Sequence, residues 1–157
     1  MNPGQESFID LHQLVAAVGD AVLAVDREGI IVLWNPAAAR IFGFSAEEAL
    51  GQSLDIIIPE RLRQRHNEGF AKTVASGQTR YGESVLRVPA VHKDGRNLSI
   101  AFTVAFLHAP EEAGEAQTKV QAKVQAVVAV VRDETEKWQE ERQLHARLKA
   151  CEEQKRE

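Results

Sequence analysis

With Cys151 as its only cysteine, the 157-residue chain can form neither a disulfide framework nor a CxxC metal knuckle. No apolar run approaches the ~20 residues that span a bilayer. Met1 leads into the polar stretch Asn2 to Ser7 rather than into a basic region and an apolar core. A soluble cytoplasmic protein without a membrane partner is therefore expected. Basic charge is short as well: the formal net charge is −4, which offers nucleic acid no electrostatic footprint. GxSxG, HExxH, P-loop and dinucleotide fingerprints are all missing, so no catalytic activity is expected. His12, His92, His108 and His145 are scattered without metal-ligand spacing.

What is present suffices for one buried domain plus an appended element, since 44% of the residues are hydrophobic. Phe8, Leu11, Leu14, Val15 and Val18 fall at helical spacing between Ser7 and Val18, and Gly19-Asp20 ends the pattern. Ala21–Val25 and Ile30–Trp34 are apolar and β-branched-rich, joined by hairpin turn chemistry in Asp26-Arg27-Glu28-Gly29. Asn35-Pro36 opens a compact helical stretch from Ala37 to Phe42, and Ser45-x-x-Glu48 is a capping box for another short helix. After Gly77, Glu83 to His92 and Asn97 to Leu107 form a second antiparallel pair around Lys93-Asp94-Gly95-Arg96. Leu98, Ile100, Phe102, Val104 and Phe106 alternate with small or polar residues and are expected to line the interior. Pro110 to Thr118 reads as a loop, Val124 to Val131 as another strand, and Glu134 to Glu157 as an exposed or self-pairing helix. An antiparallel sheet with helices on one face buries both patterns most simply.

The helix predicted from Pro59 to Ser76, stopped by Gly77, is unusual in one respect. Leu62, His66, Phe70, Thr73 and Val74 share a face, while Arg61, Arg63, Gln64, Arg65, Glu68 and Lys72 fall elsewhere. A titratable imidazole is thus expected to point at the core. Left unpaired there it would cost about 1–3 kcal/mol, so it must be hydrogen-bonded, held neutral or coordinating. A satisfied core or half-exposed histidine meets that requirement, and so does a ligand.

Several motifs form a set: Asp26-Arg27-Glu28-Gly29, then Trp34-Asn35-Pro36-Ala37-Ala38, then Phe42-Gly43-Phe44-Ser45-Ala46-Glu47-Glu48 with Gly51, then Ile58-Pro59. Lys93-Asp94-Gly95 and Arg132-Asp133-Glu134-Thr135-Glu136 complete it as a hairpin and a strand-to-helix exit. Through these motifs the chain, from Leu11 to Glu136, resembles the PAS domain family. The resemblance implies an α+β PAS fold: a five-stranded antiparallel sheet with helices packed on one face and flanking N-terminal and C-terminal helices. It divides the chain into an N-terminal helix (1–19), a sensor domain (20–132) and a signalling or dimerisation helix (133–157). Sensor and interaction modules, rather than catalysts, are what the family resemblance implies.

Within the family, the chain is most similar to haem-binding gas sensors of the FixL kind, whose long helix carries an iron-ligating histidine. Arg65-His66 occupies the matching point, and the spacing from His66 to the Asp94-Gly95 turn agrees without a gap. The resemblance implies haem b with His66 as metal ligand, Phe102 and Val104 over the haem, and Lys72 and Arg80 near the propionates. Leu86 stands where the oxygen sensors carry a distal arginine, and Arg87 is expected on the opposite strand face. Without a distal donor, dioxygen loses a contact worth about 1 kcal/mol or more, and carbon monoxide and nitric oxide join it as candidate gas ligands. Tyr81 lies near the start of the same strand region.

Two other readings stand beside this one. A cofactor-free PAS module would recruit a partner or a second copy through its sheet or terminal helix. A PAS pocket for flavin or an organic acid is the other. The photoreactive flavin–cysteine type is disfavoured, because it needs a thiol in the helical core and Cys151 lies in the terminal helix. Both terminal helices carry apolar stripes too narrow to be stable alone, so a homodimer through them is expected, passing output to a downstream signalling domain or protein.

Overall fold

The structure, a computed structural model, describes residues 9–78, 83–109 and 123–155. The elements in chain order are α1 (Leu11–Ala17), β1 (Ala21–Asp26), β2 (Ile31–Trp34), α2 (Pro36–Phe42), α3 (Ala46–Ala49), a 3₁₀ turn (Leu54–Ile57), α4 (Glu60–Ser76), β3 (Leu86–Val91), β4 (Asn97–His108), β5 (Val124–Asp133) and α5 (Thr135–Gln154). The strands form one antiparallel sheet in the order β2-β1-β5-β4-β3. Each hairpin supplies one side of the sheet, and β5 enters between them. The predicted α+β architecture is the one observed.

Local chemistry explains most boundaries. In the first hairpin the Asp26 carboxylate accepts from the amides of Glu28 and Ile30, and Gly29 takes the left-handed conformation (φ 81°) that closes the turn. The Ser45–Glu48 capping box forms as expected, with each residue's side chain accepting from the other's amide. Two expectations shift. The first helix spans Leu11–Ala17 rather than Ser7 to Val18, because Asp10 caps it by accepting from the His12 amide, and Ser7 and Phe8 lie outside the described residues. The strand predicted from Glu83 begins at Leu86, the first residue with a partner on β4, and Pro89 is tolerated because β3 is an edge strand. The loop expected from Pro110 to Thr118 lies outside the described residues.

The alternation in β4 works as expected. Leu98 and Ile100 are buried, Phe102, Val104 and Phe106 are half-buried, and all pack with Ala21, Leu23, Val25, Val127 and Val131 into one core. Trp34 lies in that core beside Phe42, ring centroids 5.5 Å apart, and its indole N–H donates to the Phe44 carbonyl at 2.9 Å. The β3–β4 turn closes over the short helices. Lys93 donates its amide to the Phe42 carbonyl and pairs with Glu48, while the His92 ring fills the space where a side chain at Gly43 (φ 80°) would begin.

Asn35 is the buried polar residue that joins these parts, at 4% exposure. Its Oδ1 accepts from the amides of Val22 and Ala38, both at 2.9 Å, and its Nδ2 donates to the carbonyls of Val15 at 3.0 Å and Asp20 at 3.1 Å. One side chain thereby caps α2, pins the start of β1 and holds the end of α1. Asn35→Ala should lower unfolding free energy by about 2–4 kcal/mol, the sum of a lost cap and buried backbone groups left unpaired. Asn35→Asp keeps both acceptor contacts but sets a carboxylate oxygen against the Val15 and Asp20 carbonyls, so in urea denaturation it should be at least as destabilised as Asn35→Ala.

Candidate functional site

α4 buries little of itself for its length. It runs 17 residues from Glu60 to Ser76, is preceded by Pro59 at its cap and ends at Gly77 in the left-handed conformation. Val74 is its buried residue, whereas Leu62, His66, Phe70 and Thr73 are half-buried and the charged residues exposed. The predicted inward stripe exists, but His66 and Phe70 in it line a cleft, while Val74 joins the sealed core. His66 is accordingly less buried than its apolar neighbours in sequence suggest.

The His66 imidazole stacks on Phe70, ring centroids 6.2 Å apart, and Phe70 lies against Gly29 in the β1–β2 turn. Its Nδ1 is 3.2 Å from Oδ1 of Asn67, and Asn67 Nδ2 donates to Asp55 Oδ2 at 3.3 Å. The other carboxylate oxygen of Asp55 is buried without a hydrogen-bond partner among the described residues. Together His66, Asn67, Phe70, Leu54 and the turn residues Arg27 and Gly29 line a cleft of about 370 Å³. Asn67 and Asp55 carry no motif that singles them out. The available signal is a lone carboxylate inside the apolar run Leu54-Asp55-Ile56-Ile57-Ile58.

Leu86, Phe102 and Val104 come together elsewhere. Leu86 pairs directly with Phe102, Phe102 pairs with Val131, and directly opposed residues share a face, so these side chains lie on the helix-covered side of the sheet with Val104 two residues along β4. All three are half-buried, which leaves an apolar strip incompletely covered. They are not walls of the cleft that holds His66. Lys72 is exposed on α4, and Arg80 and Tyr81 lie outside the described residues.

Arg87 points to the other side of the sheet, where its Nε donates to Glu134 Oε2 at 3.1 Å. That contact belongs to a tightly tied exit from β5 into α5. The Glu134 amide donates to the Ser99 carbonyl at 2.8 Å, the Ser99 amide donates to Thr135 Oγ1 at 3.0 Å, and Asp133 accepts from the Thr135 amide at 2.9 Å. Arg132 pairs with Asp20 at 2.8 Å, and its hydrogen bonds hold the Asp20 carboxyl below the usual carboxylate range. α5 itself has no buried residue; its Trp138 ring lies under Arg142, 4.7 Å from centroid to guanidinium carbon.

Among the described residues no helix is long and apolar enough to cross a membrane, and no group of three or more His, Cys, Asp or Glu is placed to hold a metal ion. Comparison with known proteins identifies the class. The PAS fold family model matches residues 9–114, and the chain belongs to that family. Over 62 residues it is 42% identical to the sensor protein FixL of Bradyrhizobium diazoefficiens, a match covering 40% of this chain and 12% of that protein. Over 85 residues it is 26% identical to the oxygen sensor protein DosP of Escherichia coli, covering 54% of this chain and 11% of that protein. The matched stretch is thus a small part of each relative. Among solved structures, a PAS domain from Colwellia psychrerythraea superposes with a TM-score of 0.64 at 19% identity, covering 80% of this chain and 94% of that one. An RNA-binding light-oxygen-voltage receptor superposes at 0.69 with 17% identity, covering 95% of this chain and 41% of that one. These structural likenesses establish the fold.

With Val74 as its buried anchor, α4 should open locally before the sheet unfolds. Val74→Ala should cost about 2 kcal/mol through lost methyl burial and a residual void. Amide exchange should accelerate more in α4 than in β4 or β5; equal acceleration in all three would show that α4 is no softer than the sheet.

Proposed function

We propose that this PAS sensor domain binds haem b through His66, senses a diatomic gas (dioxygen, carbon monoxide or nitric oxide) or redox state, and relays the change through α5. The observation that carries the proposal is an imidazole on the inward stripe of a helix that buries only Val74, in a domain whose helix-covered sheet face also carries a half-covered apolar strip away from the His66 cleft. The residues suit the group chemically. A neutral imidazole supplies a nitrogen lone pair to iron, and Leu86, Phe102 and Val104 supply apolar surface of the kind that lines cofactor sites. A cleft of about 370 Å³ is at the small end of cofactor pockets, so α4 is the wall that would move outward on uptake. Haem iron, when bound, provides the gas-binding coordination position. The relatedness to FixL and to the oxygen sensor DosP supports the same assignment.

Under this proposal His66 is the sole protein ligand to iron, and Lys72 and Arg80 are the cations assigned to the propionates. Output follows from β3, which turns Leu86 toward the helices and Arg87 toward Glu134 at the α5 junction. A shift of β3 on one face is then felt at the exit on the other. α1 and α5 pair across a homodimer, and a following domain or protein receives the signal.

The partly exposed, Asn67-bonded state of His66 favours a second reading, a cofactor-free PAS interaction module. Haem titration into the purified domain separates the two. The first reading expects a Soret band that His66→Ala abolishes, and a ferrous form that is five-coordinate and takes up carbon monoxide. A colourless protein supports the second, and a band indifferent to His66→Ala removes His66 as the iron ligand. If Leu86 faces the bound gas, Leu86→Arg should slow dioxygen dissociation by the equivalent of about 1–3 kcal/mol, the strength of a charge-assisted hydrogen bond. Unchanged dissociation would remove Leu86 from that position.

A further inference from the structure

We infer that Asn67, oriented by Asp55, is a positioning residue that fixes His66 as the Nδ1–H tautomer and leaves the Nε2 lone pair for whatever the imidazole binds. As a ligand-positioning role, it rests on the function proposed above.

The direction of each hydrogen bond follows from elementary chemistry. The Asn67 atom 3.3 Å from Asp55 Oδ2 is its NH₂ nitrogen, which donates to the carboxyl oxygen. The amide oxygen of Asn67 is thereby turned to His66 Nδ1 at 3.2 Å. An amide oxygen cannot donate. Nδ1 must carry the proton, and in the neutral ring Nε2 is then the unprotonated nitrogen.

The carboxylate, amide and imidazole form a directed chain across 12 positions of sequence, from the 3₁₀ turn to the middle of α4. Stacking on Phe70 restrains the ring plane within it. The solvated histidine side chain favours the opposite, Nε2–H tautomer, so the environment has to impose this one. A metal-binding histidine needs such a partner on its second nitrogen, which sets both tautomer and ring orientation. Asp55 reaches Asn67 through Oδ2, while its Oδ1 is buried with no hydrogen-bond partner among the described residues.

The test reads the tautomer directly, in the cofactor-free protein labelled with ¹⁵N, at a pH where His66 is neutral. Long-range ¹H–¹⁵N correlation should show the Nδ1–H form of His66 in the wild type and a majority Nε2–H form in Asn67→Leu. Asp55→Asn, which can present either amide face to Asn67, should give a mixture. Backbone spectra of each variant confirm that the fold is intact. Wild-type His66 in the Nε2–H form, or an Asn67→Leu variant with an unchanged tautomer, overturns the inference.

With haem added, Asn67→Leu should weaken binding by about 10- to 100-fold, the range typical for loss of an outer partner, and move the iron–histidine stretching band to lower frequency. Unchanged affinity and frequency would overturn the positioning role even where the tautomer shifts. Failure of the wild type to take up haem at all would instead overturn the proposed function, while the tautomer measured without cofactor would still decide whether the Asp55–Asn67–His66 chain sets the imidazole.

Discussion

The four-way hydrogen bonding of Asn35 is the constraint on which the rest of the domain depends. A buried amide has two donors and two acceptor sites to satisfy, and in this fold every one is met by a backbone group from a different place in the chain. Those groups belong to the end of α1, the approach to β1, β1 itself and the first turn of α2. Because none can move without stranding a polar group in the core, Asn35 sets where the helical layer meets the sheet. Trp34, the preceding residue, continues the tie by reaching the Phe44 carbonyl, and Lys93 closes the far side through the Phe42 carbonyl and Glu48.

Against that rigid end, α4 stands in contrast. Its attachment is one buried valine and a few half-buried side chains, of which Phe70 lies against Gly29 in the β1–β2 turn. A packed interior transmits strain, whereas a helix with few buried contacts can be displaced at modest cost. The domain therefore joins a fixed frame to a wall that can yield, an arrangement suited to taking up a ligand between helix and sheet. The exit into α5 belongs to the frame: Ser99, Arg87 and Asp20, from three different strands or their flanks, all bond to residues between Arg132 and Thr135. Displacement of β3 or β4 is thus coupled to the base of α5 by contact.

Much of this was legible in the residues themselves because it is local. The hairpin at Asp26–Gly29 closes through an aspartate bonding two and four residues ahead, and the capping box at Ser45 spans three residues. The interior face of β4 follows from strict alternation, and the left-handed stop at Gly77 from the absence of a Cβ. Leu86 and Arg87 had to face opposite ways once β3 was a strand. His66 was conspicuous because a polar ring interrupts an apolar helical stripe. Periodicity alone could assign it a direction but no depth: it lies half-buried in a cleft because α4 does not press fully onto the sheet.

What the sequence by itself determined, then, was the set of elements, the family they compose and the one imidazole that breaks the pattern, since each depends on interactions within a few residues. Only the tertiary structure decided that β5 enters between the two hairpins, that Asn35 gathers three elements, and that Arg87 meets Glu134. It also brought Asp55 within hydrogen-bonding reach of Asn67. These are contacts between distant parts of the chain. They are selected by burial of the whole core and by the satisfaction of every polar group inside it, and no local pattern encodes that choice.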